Sequence, residues 1–195
     1  SEFETRLRVD GSDEIIMPST FRPAAAAARL ATDLDRDLIE HLIRWRGNNP
    51  EADEDMLVPI SGQSLSDNEF PLELQQLVDA GTLDGHRLIL GFRESEVRET
   101  LRELQRLISR LGARGVRFAL LDVQPDSRVD LMLKNVDLQY IKLGGEITGA
   151  LRNDEAQRAA LESLAAAASE HDIGVIAPQV ENTTDLAALW QFGIT

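Results

Sequence analysis

The sequence contains no cysteine, and none of its apolar runs is long. Without cysteine the chain can form neither disulfides nor thiolate metal sites, which fits a reducing compartment. No apolar run approaches the roughly 20 residues that a membrane helix needs, so we expect no membrane insertion. No signal peptide is visible at the start of the sequence, and we therefore expect a cytoplasmic protein.

Positive charge is also scarce. Lysine and arginine together number 20 against 34 aspartates and glutamates, which leaves a net charge of −14. This balance excludes a broad surface for nucleic acid or anionic membranes, and we expect no nucleic acid partner. A small anionic ligand held by a local cluster of arginines remains compatible with it. Lysine is so rare that Lys134 and Lys142 are easily noticed.

The rest of the composition, 43% hydrophobic and 28% charged residues, is that of an ordinary globular domain. Short apolar segments alternate with longer amphipathic ones. The predicted strands are Phe3–Val9, Met56–Ile60, Arg87–Phe92, Val116–Leu121, Leu138–Leu143 and Ile173–Ala177. The predicted helices are Ala24–Trp45 with a break near Ala31–Asp33, Pro71–Ala80, Ser95–Leu111, Asp126–Lys134, Asp154–Glu170 and Thr184–Phe192.

This regular alternation of nearly continuous apolar strands with helices predicts an α/β fold with a parallel sheet covered by helices. A doubly wound sheet and a β/α barrel both satisfy the pattern, and periodicity does not distinguish them. No glycine-rich fingerprint follows the first strand, which disfavours a dinucleotide-binding domain.

Sequence blocks at the predicted strand ends carry a family resemblance. They are Glu4–Arg8, Pro18–Ala25, Leu34–Arg36, Val58–Ser61, Leu121–Gly144 and Ala177–Asn182. In order and spacing they resemble the EAL domain family, the cyclic di-GMP phosphodiesterases. The resemblance implies a TIM-like (β/α) barrel of EAL type, in one domain spanning residues 1–195. The family's first and last strands have no counterpart here, so we expect a domain trimmed at both ends, or else an open sheet.

The resemblance also implies the positions of the metal ligands and of the catalytic base. The family holds divalent metals with carboxylates and an asparagine at strand ends, which is the oxygen coordination that Mg²⁺ and Mn²⁺ prefer. In this chain Glu4 and the second aspartate of a pair, Asp122, keep their places. The other ligand and base positions hold residues without such groups, namely Pro59, Gly91, Leu121, Gly144 and Pro178. We therefore expect a degenerate phosphodiesterase that is no longer an enzyme, with no metal and no cofactor.

Ligand binding is compatible with these losses. The resemblance places Arg8 near a phosphate of cyclic di-GMP, since phosphate needs arginine or backbone N–H donors. The residues that we expect to bind the ligand are Arg8, Arg6, Ser61, Glu94, Asp122, Lys142, Gln179 and Glu181. Arg93 and Arg128 also fall at or just beyond strand ends. For Asp122 a turn cap, and for Lys142 an ion pair, are the alternatives.

The pattern is closest to non-catalytic FimX-type EAL domains of type IV pilus systems, with Pro178 before a kept Val180–Glu181. This resemblance implies a PilZ-type adaptor as partner. Our leading hypothesis is thus a cyclic di-GMP receptor that signals through a protein. The alternatives are a nucleotide-free interaction module and, less favoured, an active phosphodiesterase. We expect the partner to bind the face around Arg6–Met17. The alternative is that Ile15 and Ile16 pack within the barrel. A homodimer is also compatible with the sequence.

Overall fold

A computed structural model describes residues 2–3, 6–8, 15–124, 129–145, 155–178, 180, 189–190 and 194. Its helices are α1 (Pro18–Ala27), α2 (Ala31–Asn48), α3 (Gly62–Ser66), α4 (Phe70–Asp79), α5 (Glu94–Leu111), α6 (Asp130–Asn135) and α7 (Glu155–Glu170). Its strands are β1 (Leu7–Arg8), β2 (Ile15–Ile16), β3 (Met56–Ile60), β4 (Leu88–Arg93), β5 (Arg117–Val123), β6 (Tyr140–Leu143) and β7 (Gly174–Ile176). This element order confirms the predicted α/β alternation.

Five of these strands form one sheet in chain order, β3-β4-β5-β6-β7. The pairs β5–β6 and β6–β7 are parallel, with Ile141 opposite both Leu120 and Val175. Every residue of β3 is buried, as expected for a strand covered on both faces. Pro59 lies in β3 and, without an N–H, donates no hydrogen bond to the sheet. The short strands β1 and β2 pair antiparallel in a separate sheet.

The chain divides into two compact units. The first comprises Ser1–Leu90 with Glu96–Arg117, and the second comprises Gly91–Ser95 with Phe118–Thr195. In the first unit the core includes the apolar stripe of α5, whose Val97, Leu104 and Leu111 are fully buried at helical spacing. In the second unit the core includes the central residues of β5, together with Ile141 and Leu143 of β6.

The longest described helical segments, α2 and α5, span 18 residues each, with a kink in α5 at Thr100, and both carry many charged residues. Across the described part of the chain, no helix combines the length and the apolar character that a membrane crossing requires.

The observed elements differ from the predicted ones mainly at their boundaries. Met56–Ile60 is a strand as predicted. The helix predicted over Ala24–Trp45 with a break near Ala31–Asp33 is two helices, and the break lies slightly earlier, because Arg29 adopts a left-handed conformation (φ 59°) that ends α1 before α2 begins. Helix α3 was not predicted, since five residues are too few for a periodic pattern. Of the predicted Thr184–Phe192 helix, only Leu189 and Trp190 lie within the described residues.

The predicted strand Phe3–Val9 forms only in part. The N–H of Phe3 donates to the carbonyl of Leu57, and Glu2 forms an isolated parallel bridge to the same residue. Leu7 and Arg8 then turn to a different partner and pair with β2. The alternating pattern therefore predicted extended backbone correctly. It did not indicate that the segment would pair with two different strands, β3 and β2.

Candidate ligand site at the strand ends

Charged side chains of the second unit lie toward the carboxyl ends of consecutive strands. Arg93 is the last residue of β4, Asp122 the penultimate residue of β5, and Lys142 the penultimate residue of β6. Glu94 follows Arg93 directly and is buried, with 7% of its surface exposed. Parallel strands present their carboxyl ends at one edge of a sheet, and ligands of α/β proteins bind at that edge. The structure thus brings Glu94, Asp122 and Lys142 of the predicted site to this edge.

Asp122 occupies a β-bulge. Between Leu120 and Val123 the pairing of β5 with β6 shifts by one residue, and Asp122 has a φ of 57°. This left-handed conformation costs a non-glycine residue on the order of 1 kcal/mol, and aspartate tolerates it better than most residues. A bulge changes the direction of the side chain it contains, and the Asp122 side chain is 60% exposed.

The bulge places the Asp122 carboxylate against the Arg93 guanidinium. Arg93 Nε donates to Asp122 Oδ2 at 3.0 Å, and the arginine side chain is the more enclosed of the two, at 26% exposed. An ion pair of this exposure contributes at most about 1 kcal/mol to folding. Its principal effect is to orient one charged group by the other.

Gly91 and Leu121 fit together in a way that excludes a side chain at position 91. A Cβ atom on Gly91 would lie 2.7 Å from Leu121 Cδ1 and 3.0 Å from Leu121 Cγ. Both residues are buried, Leu121 with 5% of its surface exposed. The two positions at which the family resemblance expects carboxylates are therefore filled by one packed leucine.

Gly144 shows the same arrangement one strand further along. The Nε2 atom of Gln124 occupies the space that a Cβ of residue 144 would need, and the Gln124 Cδ lies 3.5 Å from that point. The N–H of Gly144 donates to the carbonyl of Val123 at 3.0 Å, which holds the two chain segments close together. A third expected carboxylate position is thus covered by a neutral amide.

The described residues do not fit the divalent metal that the family resemblance implies. Pro59, Gly91, Leu121 and Gly144 offer no side-chain oxygen, and Asp122 is paired with Arg93. Among the residues that the structure describes, no group of three or more histidines, aspartates or glutamates could hold a metal ion. Glu4 and Glu181, which belong to the family pattern, lie outside them.

In the first unit, the turn from β3 into α3 is held by a buried carboxylate. Asp35 Oδ2 accepts hydrogen bonds from the N–H of Ser61 and from the Ser64 hydroxyl, both at 2.7 Å. Ser61 also caps α3, because its hydroxyl accepts from the N–H of Ser64. Burial raises the pKa of Asp35, although the hydrogen bonds from Ser61 and Ser64 act in the opposite direction. Ser61, a predicted ligand residue, is therefore engaged in the structure of this turn.

A second carboxylate holds the next residue of the same turn. Glu96 Oε2 accepts from the N–H of Gly62 at 2.5 Å. A groove of about 570 Å³ lies beside the turn, and its walls include Ser61, Gln63, Arg29 and Glu99. The N–H groups of Ser61 and Gly62, where the chain enters α3, are thus bound by side chains of α2 and α5 respectively.

Arg6 and Arg8, the predicted phosphate-binding residues, are exposed. Arg8 lies in β1 opposite Ile15, whose surface is 47% exposed, and Met17 nearby is 45% exposed. Ile16 is half-buried opposite Leu7. The face around Arg6–Met17 is described only in part, because residues 9–14 fall outside the described ranges.

Gln179, Glu181 and Arg128 also lie outside the described residues.

Two features of the structure were not predicted from the sequence. The sequence places Arg93 at a strand end but does not predict its ion pair with Asp122, because no local pattern indicates the bulge in β5. The buried Asp35 did leave one, because it shares the helical face of Leu38, Ile39 and Leu42, where an acid must find internal hydrogen-bond partners.

Comparison with known proteins shows the family. A family model for the EAL domain matches residues 1–195. The chain is 25% identical over 194 residues to the cyclic di-GMP phosphodiesterase PdeF of Escherichia coli (strain K12), a match covering 98% of this chain and 26% of PdeF. The chain thus spans about a quarter of the length of that relative.

Solved structures show the same fold. The FimX EAL domain of Pseudomonas aeruginosa bound to cyclic di-GMP superposes with a TM-score of 0.82 at 27% identity, covering 93% of this chain and 74% of that one. The Vibrio cholerae LapD S helix-GGDEF-EAL protein, also bound to cyclic di-GMP, gives 0.88 at 20% identity, covering 99% and 47%. These likenesses confirm the TIM-like (β/α) fold of EAL type that the sequence predicts.

Proposed function

Because the chain belongs to the EAL domain family, we propose that it is a non-hydrolytic cyclic di-GMP receptor that signals through a protein partner. The observation that carries this proposal is the packing of Leu121 over Gly91, which replaces two expected metal ligands by an apolar contact. The 27% identical FimX EAL domain binds cyclic di-GMP in its structure, which supports retention of the ligand. The name of PdeF favours the alternative, an active phosphodiesterase.

Loss of catalysis follows from what a phosphodiesterase needs. Two metals must activate a water and neutralise the phosphate, and a general base must stand within hydrogen-bond reach of that water. The described residues supply neither the ligand set nor, at Pro178, a base. Arginines at the strand ends carry positive charge without a metal. The protein can therefore keep ligand binding after it has lost hydrolysis.

The first prediction concerns binding and turnover together. We expect calorimetry to show cyclic di-GMP binding of equal affinity in Mg²⁺ and in EDTA, and chromatography to show no hydrolysis with Mg²⁺ or Mn²⁺. Arg8→Ala should weaken binding by roughly 1.5–3 kcal/mol, the range for a charge-assisted hydrogen bond. Arg102→Ala, an exposed arginine of α5, is the control and should bind like the wild type.

Two outcomes would contradict this proposal in different ways. Metal-dependent turnover that is abolished by Glu4→Ala would show an active phosphodiesterase. Absence of any binding heat or thermal shift at high ligand concentration would favour a nucleotide-free interaction module.

For the partner, we propose a PilZ-type adaptor of type IV pilus regulation, on the basis of the FimX-like pattern. The exposed Ile15 and Met17 beside Arg8 favour the face around Arg6–Met17 as its binding surface, since exposed apolar side chains that cluster often mark interaction sites. The same exposure, together with the lost site residues and the net charge of −14, favours the alternative of an interaction module without nucleotide.

The second prediction tests that face. Replacing Ile15 and Ile16 with Asp should weaken adaptor capture in a pull-down by at least about tenfold, because charge in an apolar interface must be desolvated. Ile15→Asp alone, at the more exposed residue, should have the same direction and leave the melting temperature unchanged. Unchanged capture with the fold intact would reject this face. Collapse of far-UV circular dichroism in the single variant would show that the residue belongs to the core.

A further inference from the structure

Gln124 and Gly144 directly follow two neighbouring parallel strands. Strand β5 ends at Val123 and β6 at Leu143, and the N–H of Gly144 donates to the carbonyl of Val123 at 3.0 Å. The carboxyl ends of parallel strands form the edge at which α/β proteins bind ligands. The two residues therefore lie side by side at the edge that carries the candidate ligand site.

The side chain of Gln124 reaches over Gly144. Its amide occupies the space that a Cβ of residue 144 would need. Gly144 is buried, whereas Gln124 is exposed. Within the described part of the chain the amide has no hydrogen-bond partner, so its two N–H donors are open to a ligand. A neutral donor group thus lies beside the position at which the family resemblance expects a carboxylate.

An amide and a carboxylate interact with a phosphate in opposite ways. A carboxylate repels the phosphate unless a metal ion lies between the two groups. An amide N–H donates to a phosphate oxygen directly, and the negative charge of the acceptor strengthens the hydrogen bond. A glutamine amide in this place therefore favours phosphate binding without a metal.

We propose that the Gln124 amide donates a hydrogen bond to a phosphate of cyclic di-GMP and so helps to make binding independent of metal. This inference rests on the proposed function, cyclic di-GMP binding, and it names a residue outside the predicted ligand set. Gly144 is a positioning residue, because a side chain there would displace the amide.

The test titrates the intact chain with cyclic di-GMP in EDTA by calorimetry. Gln124→Ala should raise the Kd roughly tenfold, which corresponds to the loss of one hydrogen bond to a charged group. Gln124→Glu should raise the Kd further, because its carboxylate repels the phosphate, and added salt should narrow the difference between the two variants. Gln76→Ala and Gln76→Glu, at an exposed glutamine of α4, are the matched controls and should bind like the wild type.

A double-mutant cycle separates this contact from simple packing. Gly144→Ala should weaken binding about as much as Gln124→Ala does. It should leave the urea unfolding midpoint close to that of the wild type, because the displaced atom is the end of a flexible side chain. In the Gln124→Ala background, Gly144→Ala should add no further loss, since the amide that it displaces is already gone.

Each failure has a distinct reading. If the wild type does not bind cyclic di-GMP, the inference and the proposed function are both wrong. If the wild type binds and Gln124→Ala keeps its affinity, the inference is wrong and the proposed function stands. Gln124→Glu binding at least as tightly as Gln124→Ala would place the amide against a guanine and overturn the phosphate contact. Additive losses in the cycle would overturn the role of Gly144 in positioning the amide.

Discussion

Gly91→Glu is expected to lower the free energy of unfolding by at least about 3 kcal/mol and to leave the protein without phosphodiesterase activity. The substitution restores a carboxylate that the family pattern expects. Its Cβ would lie 2.7 Å from Leu121 Cδ1, so the buried leucine must move. Overpacking of this kind costs about 1–3 kcal/mol, and a buried carboxylate without a partner adds several more. Urea unfolding followed by circular dichroism measures the first effect, and cyclic di-GMP hydrolysis the second.

The control makes the same change at Gly47, near the end of α2, where a Cβ meets no atom within 4 Å. Gly47→Glu should stay within about 1 kcal/mol of the wild type. Adding Leu121→Ala to Gly91→Glu should recover part of the lost stability, because the overlap is relieved. It should not restore hydrolysis, since Pro59 and Pro178 remain. Equal stability of Gly91→Glu and Gly47→Glu would show that Leu121 does not fill this space.

We also expect Asp35→Ala to lower the free energy of unfolding by about 2–4 kcal/mol. The substitution leaves two buried donors, the N–H of Ser61 and the hydroxyl of Ser64, without their acceptor, and each unsatisfied group costs about 1–3 kcal/mol. Asp37→Ala removes an exposed carboxylate from the same helix and should change stability by less than about 0.5 kcal/mol. Similar losses in both variants, measured by urea unfolding, would contradict a structural role for the Asp35 network.

The network also predicts a dependence on pH. Burial raises the pKa of Asp35 in the folded state, so the folded protein holds this proton more tightly than the unfolded chain. The associated stabilisation is complete below the unfolded-state pKa of about 4 and is lost as pH rises through the folded-state pKa. Asp35→Asn cannot titrate. Its unfolding free energy should therefore improve relative to the wild type as pH rises from about 4.

Much of the fold was predictable because it depends on local patterns. The apolar run Met56–Ile60 could only be a buried strand, and the spacing of Val97, Leu104 and Leu111 required a helix with one buried face. The break between α1 and α2 was predicted near Ala31–Asp33, but its exact position depends on the backbone conformation of Arg29, which no neighbouring residue type indicates. Helix α3 was not predicted, because the turn that begins it depends on a hydrogen bond between Ser61 and Asp35, which lie 26 positions apart in the sequence.

Residue identity alone indicates the family, the strand–helix alternation and the absence of ligand oxygens at Pro59, Gly91, Leu121 and Gly144. Which groups take the place of the missing ones depends on tertiary contacts. Leu121 packs against Gly91, Gln124 packs against Gly144, and Arg93 forms an ion pair with Asp122. Each pair joins residues 20 to 30 positions apart, as in Arg93 and Asp122 with a separation of 29. Their contacts depend on strand register and on one bulge in β5, which arise from packing between strands and not from any local pattern.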